Sequence, residues 1–111
     1  LGDVYKRQVL NNFISNQKMD FKEDLSGIVD YITQVLHNPR AAERLVNDVE
    51  VAIYHRLKAP LGYAPYPTNT KRPHPYYRIQ VRNYSIFYVV KDKTMEIRRI
   101  IYNKRDIKHL L

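Results

Sequence analysis

The feature that most limits the possible folds of this chain is the apolar run SIFYVV at residues 85–90. A strand with one solvent-facing side alternates apolar and polar residues, whereas this run is apolar on both sides, as expected of a central strand. The segments at residues 76–82 and 95–102 are also strand-like, and each is joined to the central run by a short connection. Short connections favour antiparallel neighbours, so the C-terminal half is predicted to form three antiparallel strands.

The N-terminal half shows helical periodicity instead. Apolar residues recur every three or four positions on both sides of Asn38 and Pro39, as Phe21, Leu25, Ile28, Val29, Ile32, Val35 and Leu36 before them and Ala42, Leu45, Val46, Val49, Ile53 and Leu57 after them. Asp20, with Glu23 three residues later, is expected to cap the first helix. Pro39 suits the first position of the second helix, which ends before Pro60. The two helices therefore form an αα-hairpin.

The predicted fold class is α+β. The helical hairpin packs on one face of a C-terminal antiparallel sheet of three to four strands, and residues 9–15 (VLNNFIS) are a candidate for a short edge strand that precedes the helices. Residues 60–75 contain five of the six prolines and form a loop within the domain. Residues 1–8 (LGDVYKRQ) are expected to be non-native or disordered, and residues 9–111 to form a single domain.

The positive charge of the chain is concentrated in its C-terminal half. Residues 1–60 hold eight Lys/Arg and eight Asp/Glu, whereas residues 61–111 hold eleven Lys/Arg and three Asp/Glu, so the whole net charge of +8 lies in the second half. Such a surface predicts a polyanionic partner, which is either nucleic acid or an acidic protein segment. The alternative is a basic surface that only keeps the protein soluble.

Arginine occupies the polar face of the first predicted strand, where Arg78, Gln80 and Arg82 alternate with Ile79 and Val81. If the apolar pair faces the helices, the polar trio lies on the opposite, uncovered face of the sheet. Guanidinium groups bind phosphate bidentately and stay charged at any working pH. Further cations and stacking rings are expected near that face, namely Lys71, Arg72, His74, Lys104, Arg105, Tyr76, Tyr84 and Tyr102.

Several other classes of protein are not indicated. The 111 residues include no cysteine, which excludes disulfides, thiol catalysis and cysteine zinc sites. The four histidines lack the spacing of metal ligands, and no glycine-rich phosphate loop is present. No signal peptide is readable and no apolar run approaches the roughly 18–20 residues that span a bilayer, so a cytoplasmic protein without metal or other cofactor is expected.

The chain resembles the RelE/ParE superfamily of bacterial type II toxin–antitoxin toxins. The segments that carry the resemblance are DLSGIVDYITQVLHNPRAAERLVNDVEVAI in the helical hairpin, and YYRIQVRNYSIFYVV and IRRIIYNKRD in the sheet. The resemblance extends from about Asp20 to Ile107. It implies a toxin that is bound by a cognate antitoxin protein, whose acidic segment wraps the toxin and folds on binding.

The RelE branch implies a metal-free endoribonuclease that cleaves messenger RNA on the ribosome, by attack of a 2′-hydroxyl on the adjacent phosphate. The resemblance assigns catalytic positions to Arg78 and Arg105, and RNA or phosphate contacts to Gln80, Arg82 and the position of Ser85. Tyr102 is taken as a substitute for the catalytic acid, with His109 as the other candidate. Lys71, Arg72, His74 and Lys104 are added as phosphate contacts because they are expected at the ends of the strands. In two respects the chain departs from these ribonucleases. Ser85 stands where they commonly present arginine, and the tail IKHLL does not place their C-terminal tyrosine or histidine acid. The alternatives are a ParE-like inhibitor of DNA gyrase and a member that binds antitoxin without catalysis.

Overall fold

The computed structural model describes residues 19–68 and 71–111, which form helices followed by a sheet in the α+β order that the sequence predicts. In chain order the elements are α1 (Met19–Asp30), a π-helical turn (Tyr31–Val35), α2 (Pro39–Arg56), β1 (Tyr77–Val81), β2 (Tyr84–Lys91), β3 (Thr94–Tyr102) and α3 (Ile107–Leu110). The predicted edge strand at residues 9–15 and the segment at residues 1–8 lie outside the described residues.

The three strands form one antiparallel sheet in the order β1-β2-β3, which confirms the SIFYVV run as the central strand. Each strand bound lies within one residue of its prediction. In the turn between β2 and β3, Asp92 (φ 49°) and Lys93 (φ 64°) both take the left-handed conformation that a tight hairpin favours. The short turns fix the register of the strands, which decides the side chains that share a face.

The helical hairpin covers one face of the sheet, with α1 against β3 and α2 against β1. The core between the two layers takes side chains from both helices and all three strands, including Phe21, Leu45, Val49, Ile53, Ile79, Ile86, Tyr88, Ile97 and Ile100. Burial of apolar side chains is the main stabilising contribution, at about 1.5–3 kcal/mol for each large residue.

The opposite face of the sheet is also partly covered, so the prediction that it is open was wrong. A second apolar cluster is buried there, made of Tyr76, Phe87, Val89 and Ile101. Its cover comes from the proline-rich loop and from the C-terminal residues, through Tyr66, Ile107, Leu110 and Leu111. Because an irregular loop and a four-residue helix have no long periodic pattern, the sequence does not predict that these segments pack on the sheet.

The start of α2 agrees with the sequence, since Pro39 is its first residue as predicted. Asn38 caps this helix, because its Oδ1 accepts a hydrogen bond from the Ala41 N–H at 3.2 Å. Asp20 was expected to cap α1, but it lies within the helix, which already includes Met19, the first described residue. A carboxylate there still interacts favourably with the helix dipole.

The first helix widens where it meets the turn of the hairpin. The Leu36 N–H donates to Tyr31 O at 3.1 Å, a five-residue step that defines the π-helical turn. Ile32 stays buried in this turn, whereas Tyr31, Val35 and Leu36 are each more than half exposed. The hairpin therefore presents a group of apolar side chains at its tip.

A partly buried ion pair ties α1 to the edge of the sheet. Asp24 accepts hydrogen bonds from Arg99 Nε at 2.6 Å, from Arg99 Nη2 at 3.0 Å and from the Ile100 N–H at 3.1 Å. The Nη1 of the same guanidinium donates to Leu110 O at 2.9 Å, which holds the C-terminal segment. The hydrogen bond to Asp24 raises the pKa of Arg99. Asp24 also satisfies a backbone N–H of an edge strand.

The substitution Asp24→Asn should destabilise the protein by about 2 kcal/mol, because the partly buried Arg99 guanidinium loses its charged acceptor. The measurement is urea denaturation at neutral pH. Asp30→Asn, at an exposed position of α1, is the matched control and should stay within about 0.5 kcal/mol of the wild type. Equal losses in both variants would mean that the contact with Arg99 is worth no more than a surface charge.

Candidate functional site

The strand register brings part of the predicted arginine face together. Arg78 lies opposite Phe87, and Gln80 lies opposite Ser85, so these side chains share the face of the sheet that points away from the helical hairpin. Arg78 and Gln80 are exposed, whereas Ser85 is fully buried beneath them. Asn103, the first residue after β3, completes the group.

Hydrogen bonds join these four residues, which we call the Arg78 cluster. Arg78 Nε donates to Ser85 Oγ at 2.7 Å, and Arg78 Nη2 donates to Gln80 Oε1 at 2.6 Å. The Ser85 hydroxyl donates in turn to Asn103 Oδ1 at 2.6 Å. The Nε–Nη2 edge of the guanidinium, which can bind a carboxylate or phosphate bidentately, is therefore occupied by neutral oxygens.

The cluster is positively charged. Among the described residues, no carboxylate forms an ion pair with Arg78. The ring of Tyr66 lies nearby, with its centroid 5.8 Å from the guanidinium carbon of Arg78. This arrangement can bind a single anionic group through the outer donors of Arg78, but it contains no side chain that exchanges a proton near neutral pH.

Arg82 does not lie on this face, in contrast to the prediction. It is the first residue of the turn between β1 and β2 and has a φ of 52°. Its Nε donates to Asp48 of α2 at 2.6 Å, so its charge is directed toward the helical hairpin. The alternating pattern of β1 ends at Val81, and the turn reverses the direction of the chain before the next position of the pattern.

Tyr102 and Arg78 lie on opposite faces of the sheet. Tyr102 pairs with Tyr84, which pairs with Val81 on the face covered by the helices. The two tyrosine rings are 5.5 Å apart. Three predicted catalytic residues were expected near one phosphate, but the sheet itself separates Tyr102 from Arg78.

Tyr102 and Arg105 instead line a groove between α1 and the ends of β2 and β3. This hairpin groove has a volume of about 860 Å³ and is lined mainly by apolar and aromatic side chains, among them Tyr31, Leu36, Tyr84 and Tyr102. Its charged lining residues are Glu23, Asp24, Arg82 and Arg105. Burial is the largest cause of the raised pKa of Tyr84, and Tyr102 and Tyr31 add to it.

The remaining predicted cations lie in other surroundings. Arg72 Nη2 donates to Leu111 O at 2.7 Å, and its guanidinium carbon is 4.8 Å from the centroid of the Tyr76 ring. Arg72 therefore helps to fasten the C-terminal segment. Lys71 and Lys104 are exposed, and His74 is half-buried.

Sequence reasoning missed Asn103 and Tyr66 as members or neighbours of the Arg78 cluster. Asn103 directly follows the last strand, a position where polar side chains often reach the end of a neighbouring strand, so a weak signal existed. Tyr66 is in the proline-rich loop, and its N–H donates to Tyr76 O at 2.7 Å. No pattern in the loop indicates that contact.

The described residues give no sign of a metal site or a membrane span. Within residues 19–68 and 71–111, no three His, Asp or Glu side chains are grouped so that they could hold a metal ion. None of the helices in that part of the chain is long and apolar enough to cross a membrane.

A helical hairpin packed on a three-stranded antiparallel sheet is the architecture expected of RelE/ParE-type toxins. Residues 17–107 match the family model described as ParE toxin of type II toxin-antitoxin system, parDE. Because this match covers most of the sequence, the chain belongs to the ParE toxin family.

Other comparisons add little. A segment of 34 residues, 30% of the chain, is 68% identical to part of the proliferation marker protein Ki-67 of Homo sapiens. It covers only 1% of the length of that protein, so it carries no argument about function. No solved structure matches the chain.

The substitution Ser85→Ala should destabilise the fold by about 1–2 kcal/mol, because the Arg78 Nε donor loses its partner and Asn103 Oδ1 loses the shorter of its two hydrogen bonds. Denaturation in urea measures the loss. Ser26→Ala, at an exposed position of α1, is the matched control and should change stability by less than about 0.5 kcal/mol. A loss as small at Ser85 as at Ser26 would contradict a structural role for the Arg78 cluster.

Raising the pH above 10 should destabilise the folded protein. Burial raises the pKa of Tyr84 and Tyr88 above the ordinary value of 10.0, and the hydrogen bond from Arg56 partly offsets the rise at Tyr88. A raised pKa in the folded state gives stability that is present below pH 10 and is lost as the pH rises through the folded-state pKa. Urea denaturation at increasing pH tests this, and Tyr84→Phe should lose less stability than the wild type. Identical losses would contradict the assignment.

Proposed function

We propose that this chain is the toxin of a type II toxin–antitoxin pair and that it acts by binding DNA gyrase and not by cleaving RNA. The observation that carries the proposal is the composition of the Arg78 cluster, whose guanidinium is held by neutral side chains. Membership of the ParE family supports the same target, because gyrase inhibition is the activity that the ParE-like resemblance implies.

RNA cleavage by a 2′-hydroxyl requires three groups around one phosphate. A base takes the hydroxyl proton, an acid protonates the leaving oxygen and a cation stabilises the charge that develops. Arg78 meets only the last requirement, since Ser85, Gln80 and Asn103 do not titrate near neutral pH. Tyr102, the residue predicted to substitute for the acid, is on the other face of the sheet. These positions favour a binding protein.

An endoribonuclease remains the second candidate. The charge of Arg78 is exposed and has no carboxylate partner among the described residues, which is what a phosphate contact needs. Under this alternative the missing acid and base would have to come from the RNA or from another molecule. The experiment below separates the two candidates.

The hairpin groove is the proposed seat of the antitoxin. Tyr31 and Leu36 are more than half exposed beside it, and Tyr84 and Tyr102 line it. Of the charged residues that line the groove, Asp24 and Arg82 are paired with Arg99 and Asp48. Glu23 and Arg105 are exposed, and Arg105 supplies the positive charge for an acidic partner. An amphipathic segment with apolar residues on one side and acidic residues on the other matches this combination. An acidic protein partner also agrees with the net charge of +8.

Controlled expression of the chain in bacteria, followed within minutes by plasmid topology and by mapping of messenger RNA 5′ ends, tests the proposal. We expect altered supercoiling or DNA breaks and unchanged messages, because a gyrase-directed toxin acts on DNA topology. The same assay is run on the double variant Arg78→Ala and Arg105→Ala, which removes the two arginines that an endoribonuclease would use. Lys93→Ala, which removes an exposed cation from the turn after β2, is the matched control and should behave as the wild type.

Two results would overturn the proposal. New messenger RNA ends that disappear in the double variant would identify the chain as an endoribonuclease that uses the arginine face. Normal growth with unchanged topology and unchanged messages, from a chain shown to be folded by circular dichroism, would leave a member that binds its antitoxin without toxicity.

A further inference from the structure

Exposed apolar side chains occur at both ends of α2. Tyr31, Val35 and Leu36 lie at the tip of the hairpin, before the start of the helix. Leu61 and Tyr63, which are 62% and 56% exposed, follow its end. Because α2 has 18 residues, about 27 Å of helix separates the two groups. The second group is not part of the hairpin groove.

The two exposed residues belong to residues 58–66, which we call the anchor loop. Its backbone is attached to the rest of the domain at two points: Pro60 O accepts from the Tyr88 hydroxyl at 2.7 Å, and the Tyr66 N–H donates to Tyr76 O at 2.7 Å. Within the loop, the Gly62 N–H donates to Ala59 O at 3.0 Å. The Tyr66 ring also packs edge-on against Phe87, with 5.0 Å between the ring centroids. The loop is therefore held across one edge of the sheet.

Arg56 at the end of α2 is the centre of this attachment. Its guanidinium carbon lies 3.6 Å from the centroid of the Tyr63 ring, and its Nη1 donates to the Tyr88 hydroxyl at 2.9 Å and to Arg78 O at 3.2 Å. Tyr63 thus rests on a cation that is itself bonded to two strands. Pro60 and Pro65 restrict the backbone further.

A fixed loop with exposed apolar residues has the properties of a protein-binding surface. Binding through a rigid segment loses little conformational entropy, so more of the contact energy appears as affinity. Tyrosines and large aliphatic side chains that enter a partner's pocket commonly dominate such interfaces. Leu61 has no ring to stack on a base, which favours a protein partner over nucleic acid.

The charge around the loop indicates the partner's surface. Three cations are placed at the anchor loop. Arg56 lies against the Tyr63 ring, Lys58 is the exposed first residue of the loop, and the guanidinium carbon of Arg78 is 5.8 Å from the centroid of the Tyr66 ring. A partner with acidic residues around an apolar pocket would be complementary to this surface, and charge complementarity would speed its encounter with the toxin.

We infer that the anchor loop is the surface with which this toxin holds DNA gyrase, with Leu61 and Tyr63 in an apolar pocket and Lys58 beside acidic residues of the enzyme. The inference rests on the proposed function and deepens it by naming the contact surface. The opposite end of α2, at the hairpin groove, is then left to the antitoxin.

The test measures inhibition of purified bacterial DNA gyrase in a plasmid supercoiling assay, with the full chain and its variants. Leu61→Ser should weaken inhibition about tenfold or more. Lys58→Glu should also weaken inhibition, and its effect should grow as the salt concentration is lowered, because like charges then repel more strongly. Val51→Ser removes an exposed apolar residue from α2, away from the loop, and should inhibit as the wild type does. Thermal denaturation confirms that each variant is folded.

The outcomes distinguish the inference from the proposed function. A wild type that inhibits gyrase and a folded Leu61→Ser variant that inhibits equally well would overturn the inference alone. Equal losses in Leu61→Ser and Val51→Ser would also overturn it, since the effect would not belong to the loop. A folded wild type that inhibits no gyrase would overturn both. If Leu61→Ser proves unstable, Leu61→Lys, which keeps a long exposed side chain, is measured in its place with the same expected loss.

Discussion

The burial of β2 on both faces is the constraint on which the rest of this fold depends. Ile86, Phe87 and Tyr88 are consecutive and fully buried, and consecutive strand residues point to opposite faces, so both faces must be closed. The helical hairpin closes one face. The other is closed by the proline-rich loop and the C-terminal segment. Arginine side chains hold the backbone carbonyls of the C-terminal segment, in the pairs Arg99 with Leu110 O and Arg72 with Leu111 O, and the Tyr88 hydroxyl holds Pro60 O of the loop. Guanidinium groups suit this task because each has five donors in a fixed geometry.

This use of arginine changes the meaning of the basic composition. The charge surplus of the C-terminal half predicts a polyanionic partner, yet Arg72, Arg82 and Arg99 make contacts within the protein, two of these three with carboxylates of the helical hairpin. A hydrogen-bonded guanidinium keeps its charge and still contributes to the field around the protein. It has fewer free donors for a phosphate, however. The C-terminal half therefore attracts an acidic partner over a distance but offers few free donors for specific phosphate contacts. This combination again favours a protein target.

The helices and strands, whose residues repeat a pattern, could be predicted from the sequence. The residues at which a pattern ends could not. Both helices, three strands and the start of α2 at Pro39 follow from periodicity and from the chemistry of proline. Arg82 was misplaced because the alternation in β1 continues by one letter beyond the last paired residue, into a turn with a positive φ. The convergence of Arg78, Gln80 and Ser85 follows once the register of the first hairpin is known. Asn103 and Tyr66 join them through tertiary contacts, which local sequence does not encode.

The distance between the two apolar groups limits how an antitoxin can silence this toxin. A segment seated in the hairpin groove reaches the anchor loop only if it also follows α2 for about 27 Å, which requires about 18 helical residues or about eight extended ones. A segment of that length would cover the loop directly and compete with the gyrase contact proposed above. A shorter one would leave the loop exposed, and silencing would then have to act through α2 or through β1 and β2, which connect the groove with Arg56 beneath Tyr63. The length of the bound antitoxin segment therefore decides between direct competition and an indirect mechanism.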